Sequence, residues 1–99
     1  MSTNLTSTTV IYKQPREKIP IGMDFTNIIK AGDNITGTPY IVVDPSGEIV
    51  MENISVINNI VYMTVSSGIG SHDYRFDFEV TTVSGYIYIA DGLLKVRTR

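Results

Sequence analysis

The residues best equipped for chemistry sit close together, between Ser66 and Tyr74. His72, the single histidine, is followed by Asp73 and preceded by Ser66, Ser67 and Ser71. These are the types used in nucleophilic hydrolysis: a serine attacks, a histidine takes its proton and an aspartate orients the imidazole. That reaction needs the groups to converge from separate elements beside an oxyanion hole. Here they are neighbours on one loop, so a solvated histidine is expected, and no enzyme. Gly68-Ile69-Gly70 is a fragment of a phosphate loop, without the third glycine or the helix whose N-terminus would hold the anion. Asp24, Asp33, Asp44, Glu48 and Asp73 offer hard oxygens suited to calcium. None falls in an alternating acidic spacing, so capping of loops is the expectation. No catalytic residue, metal or cofactor is expected.

Composition narrows the classes further. The chain has 99 residues, enough for one domain with a modest core. It has no cysteine, which excludes disulfides, thiol nucleophiles and thiolate metal sites. The net charge of -2 argues against general nucleic-acid binding. No apolar run approaches the roughly 20 residues of a membrane span. The start, M-S-T-N-L-T-S-T-T, lacks the basic and apolar regions of a signal peptide. Synthesis in the cytoplasm without such a peptide is therefore expected, and the three Asn-x-Ser/Thr patterns carry no weight. Between Ala31 and Tyr74 there is no Lys or Arg. That leaves either an unevenly solvated surface or an acidic face that meets basic ends in an assembly.

The elements that must position these groups are strands. Tyr74, Phe76, Phe78 and Val80 alternate with Arg75, Asp77, Glu79 and Thr81, which sends one set to a core and the other to solvent. A turn at Val83-Ser84-Gly85 leads into a last strand, with Gly85 as its structural pivot. Ile19, Ile21, Met23 and Phe25 form a second one-sided run, which Pro20 confines to an edge or a strand start. One turn over Thr26–Lys30, a strand over Thr38–Asp44, a turn at Asp44-Pro45-Ser46-Gly47 and a strand over Glu48–Glu52 follow. Ile54–Ile57 extends that strand or begins another. Asn58-Asn59 reads as a hairpin turn and Ile60–Ser66 as the next strand. Asp91-Gly92 is either a hairpin turn or, the favoured reading, a bulge in one closing strand. Turn signals every 8–12 residues with no helical period indicate an all-β sandwich of about seven antiparallel strands.

Residues 1–12 read as a flexible N-terminal arm, with 13–99 as the single domain. Within the arm, Val10-Ile11-Tyr12 is β-prone and fits a first strand or the sheet edge of a neighbouring subunit. Tyr74, four residues after Gly70, fits a tyrosine corner, in which the phenol folds back onto its own loop, or an ordinary core aromatic. In Tyr86-Ile87-Tyr88-Ile89 both parities are apolar. Such a strand is buried on both sides or exposes an apolar face to another subunit.

Taken in order, these pieces resemble small bacteriophage virion structural proteins with an immunoglobulin-like β-sandwich. The resemblance runs over about residues 13–97. It rests on Lys13-Gln14-Pro15, Met23-Asp24-Phe25, Ala31-Gly32-Asp33-Asn34-Ile35, Pro45-Ser46-Gly47, Gly70-Ser71-His72-Asp73-Tyr74, Thr81-Thr82-Val83-Ser84-Gly85 and Leu94-Lys95-Val96. The last strand is more apolar than that family's charged pattern, and Tyr40 stands nearest to its third-strand tryptophan. The resemblance implies a non-enzymatic capsid decoration or cement protein, or a head–tail junction component. Its partners would be capsid, portal or tail proteins and copies of itself, with no nucleic acid and no membrane. Thr9, Val10, Ile11 and Tyr12 with Tyr86, Ile87, Tyr88 and Ile89 are the expected contacts. The alternative is a carbohydrate- or ligand-binding module of a fibre or adhesin, using Tyr40, His72 and the Ser66–Ser71 loop.

Overall fold

The computed structural model describes residues 9–98. Seven strands carry them: β1 (Thr9–Lys13), β2 (Ile19–Asp24), β3 (Ile35–Asp44), β4 (Ile49–Ile57), β5 (Ile60–Ser67), β6 (His72–Thr82) and β7 (Ile87–Val96). They form a four-stranded sheet in the order β1-β7-β6-β3 and a three-stranded sheet in the order β2-β5-β4. Every pairing is antiparallel except β1 with β7, which is parallel. There is no helix among the described residues. A single apolar cluster lies between the sheets, drawing Ile21, Met23, Val61, Met63 and Val65 from one and Phe76, Phe78, Val80 and Leu94 from the other.

The period-2 runs become the walls of this core. Tyr74, Phe76, Phe78 and Val80 are all buried, while Arg75 and Thr81 face out. Phe25, just beyond β2, is wholly buried, and its carbonyl accepts from the N–H groups of Ile28 and Ile29, which closes the short turn there. Asn58 and Asn59 both have positive φ (51° and 63°), as a tight hairpin with the native strand twist requires.

Several sequence expectations change. Ile49–Ile57 is one strand with a register shift between Glu52 and Ser55, absorbed by Asn53 at φ 56°. A second shift lies in β3 between Thr36 and Tyr40, around Gly37. At Asp91-Gly92 neither the bulge nor the hairpin is present. β7 keeps one register on β6 throughout, with Asp91 opposite Asp77 and Gly92 opposite Phe76. The alternation explains this: Ala90, Gly92, Leu94 and Val96 face inward, and Asp91 falls on the outer face, where Arg75 answers its charge. Thr9–Tyr12, grouped with the arm by sequence, belong to β1 and pair with this chain's own β7. Residues 1–8 of that arm lie outside the described residues.

Candidate interaction surface

The serine- and histidine-bearing loop lies at one end of the sandwich, and its neighbours are spent on structure. Tyr74 is wholly buried; its Oη accepts from the N–H of Ile69 (2.9 Å) and donates to Glu48 Oε1 (2.6 Å). Burial, and then the Glu48 carboxylate, push the Tyr74 phenol above its ordinary pKa. The same Glu48 oxygen lies 3.6 Å from His72 Nδ1, and that imidazole is about half exposed. Gly68 is required here: at φ 100° a Cβ would sit 2.9 Å from Ile49 Cδ1 and Val96 Cγ2. At Gly70 a Cβ would meet Thr98 Oγ1 at 2.7 Å.

Lys13 closes this end from the other side. Its side chain is buried, and Nζ donates to the carbonyls of Gln14 (2.8 Å), Pro15 (3.2 Å) and Ser67. Burial pulls its pKa below the usual lysine value. A cation holding three carbonyls from two elements ties the end of β1 to the end of β5. Nothing in the local sequence signalled this, because lysine is ordinarily a surface residue.

Asp24, Asp33 and Asp73 also spend their carboxylates on internal bonds. Asp24 accepts from the N–H and Oγ1 of Thr26, which hold its carboxyl below the ordinary range. Asp33 is held low first by the Thr82 hydroxyl and also by the N–H groups of Asn34 and Ser84. Asp73 is held low first by Arg97, whose Nη2 donates at 2.8 Å. Among the described residues no three His, Asp or Glu side chains gather as a group able to hold a metal ion.

The outer face of the four-stranded sheet is different in character. On β7 the odd positions point outward, leaving Ile87 61% and Ile89 44% exposed, while Tyr88 turns in against the core. Burial on both sides therefore does not hold for this strand. Tyr86, half exposed, leads into it, its ring centroid 6.4 Å from that of Tyr88. On β1 Tyr12 (58%) and Val10 point outward and Ile11 inward. Thr9 stands opposite Gly92. Gly85 turns the β6–β7 connection at φ 90°.

Both chosen stretches thus contribute to one face, at opposite ends of it. Tyr12 is level with Lys95 and Ile87 lies eight residues further along β7, roughly 26 Å away at strand rise. Between them Arg75 reaches Asp77 (Nε to Oδ1, 3.3 Å) and Asp91 (Nη2 to Oδ2, 3.1 Å). Tyr40 and Val42 of β3 complete the apolar end near Ile89, opposite Glu79 and Asp77. Neither residue is among the docking contacts expected from the sequence. In T-P-Y-I-V-V-D apolar residues occupy both parities, so the outward set carries no distinct pattern.

The fold is thus an all-β, two-sheet domain whose polar groups at the loop end serve the backbone. Residues 13–95, most of the chain, match the Gp77 family, described as podophage GP4 fiber-tail adaptor protein gp77, and the chain belongs to that family. It is a bacteriophage structural protein, and its place is the virion. No individual curated protein matches it.

Proposed function

We propose that this chain is a non-catalytic adaptor that helps seat a fibre on a podophage tail, docking on neighbouring virion proteins through the outer face of its four-stranded sheet. The family match over residues 13–95 carries the proposal. Exposed Ile87, Ile89, Tyr12 and Val10 on that face support it, since aromatic and aliphatic side chains anchor protein interfaces. The strand order, with a parallel first and last strand in the larger sheet, supports an immunoglobulin-like assignment. Of the virion positions implied by the resemblance, the family description favours the tail over capsid decoration or the head–tail junction.

The carbohydrate-binding alternative is less well supported. Tyr40 is level with Glu79 on β6, whereas His72 begins that strand, so roughly 23 Å of strand separates the two. Mass spectrometry and labelled imaging of purified particles test the proposal. The expected result is a chain present in the virion and located at the tail–fibre junction. A chain found on the capsid lattice, or missing from particles, rejects the adaptor reading.

A further inference from the structure

The four free sheet edges of this domain are not equivalent. Among the described residues β1 and β3 bound one sheet, and β2 and β4 the other. An exposed edge invites another strand, and proteins blunt such edges with prolines, bulges and charges. β2 carries Pro20 inside the strand. β3 carries Pro39 and a register shift between Thr36 and Tyr40. β4 carries a shift between Glu52 and Ser55, next to the exposed Glu52. β1, T-V-I-Y-K, has no proline, its register on β7 is unbroken, and its one charged residue, Lys13, is turned inward and 2% exposed.

The polarity of β1 sharpens the contrast. The carbonyl of Lys13 accepts from the N–H of Arg97, so Lys13 directs its backbone groups towards the β7 side. Alternation then gives Ile11 and Thr9 the same direction and leaves the N–H and C=O of Val10 and Tyr12 pointing to the open edge. The side chains of these two residues are exposed as well. On the same side of the sandwich, β1 and β2 border a small apolar cavity of about 20 Å³, lined in part by Ile11, Ile21, Gly22, Met23 and Phe78.

We propose that the edge of β1 accepts an extended segment of another virion protein as an added strand. Its backbone pairs with Val10 and Tyr12, outward apolar side chains lie beside those two residues, and an inward one faces the cavity. This rests on the adaptor reading above and specifies how the β1 part of that surface is used. The occupant is a partner segment and not the β1 of a second copy. Five residues of strand span only about 17 Å, so two rigid sandwiches meeting edge to edge touch along a line. That falls short of the roughly 800 Å² per partner usual in stable pairs, whereas an extended segment also lays its side chains over the neighbouring face.

The test supplies the chain in trans to particles assembled without it and counts copies per particle by mass spectrometry. Val10→Pro removes the outward N–H at a position where an edge tolerates proline, and Val10→Thr keeps it. At least tenfold fewer copies are expected for Val10→Pro, with wild-type numbers for Val10→Thr. Hydrogen exchange on wild-type chain gives a readout independent of the variant's folding: the Val10 and Tyr12 amides are expected to slow at least tenfold on assembly. Wild-type incorporation of Val10→Pro, or unchanged exchange at both amides, overturns strand addition alone. Protection of those amides in a dimer of the isolated chain assigns the edge to a second copy and overturns the choice of occupant. Absence of the wild-type chain from particles overturns this proposal and the adaptor reading together.

Discussion

Tyr74 and Lys13 concentrate the polar stabilisation of the loop end in two side chains. Tyr74→Phe removes one bond received from a backbone N–H and one given to Glu48 while keeping the ring. The unfolding free energy from urea titration is expected to fall by about 1–2 kcal/mol. A loss under about 0.3 kcal/mol would show that the hydroxyl does not hold its loop. The phenol also sets a pH dependence. Its folded pKa is raised above the unfolded value, so the unfolded chain gives up this proton first and the stability tied to it is lost as pH rises above about 10. Tyr74→Phe should flatten that alkaline decline. Lys13→Met keeps the bulk and takes the ammonium away from three carbonyls, of which Gln14's keeps the N–H of Glu17; a loss of about 2 kcal/mol is expected by the same titration. The spacing from Gly70 marks Tyr74 as a candidate for bonding its own loop. It gave no sign of Glu48, 26 positions upstream, because partners at that distance are chosen by the fold.

The elements were legible wherever one face is buried and the other is wet. β2 and β6 follow their alternation residue by residue, and the Asn58-Asn59 turn follows from the tolerance of asparagine for positive φ. What escaped were the shifts in β3 and β4 and their absence in β7, since a bulge is defined against a partner strand that the local sequence does not contain. The two hairpin asparagines make a sharp comparison. Asn59 Oδ1 accepts from the N–H of Ile35 and its Nδ2 donates to Asn34, so this turn residue ties the smaller sheet to the start of β3. Asn59→Gly keeps the backbone geometry and loses that tie, and a cost of about 1 kcal/mol is expected from thermal or urea unfolding. Asn58→Gly, with no side-chain bond of this kind among the described residues, should stay within about 0.5 kcal/mol of the parent.

For the whole molecule, the outer face of β6, β7 and β3 combines aliphatic ends with a charged middle, and its value as a docking surface is tested at its outward positions. Tyr88 is the wrong residue for that purpose, because it packs inward and its loss would be felt in the core. Ile87→Lys with Ile89→Lys should leave the unfolding free energy within about 1 kcal/mol of the parent, each being a surface change. Incorporation into particles should fall at least tenfold. Full incorporation of the stable double variant would remove this end of the face from the interface. The sequence did identify β7 as the strand with an apolar excess. It could not say which half of that excess faces solvent, since both parities are apolar in Tyr86–Ile89 and the decision is made by the buried residues further along, from Ala90 to Val96.

The parallel pairing of β1 with β7 also fixes a sequence of events during synthesis. Thr9 pairs with Gly92 and Lys13 with Val96, so β1, made before the other described strands, is the last of them that can take its place. Until β7 has emerged, β1 has no sheet to belong to, and the edge offered by Val10 and Tyr12 does not yet exist. A nascent or truncated chain would therefore present no strand-accepting edge, and recruitment into a particle would wait for a chain that has already been made through Val96.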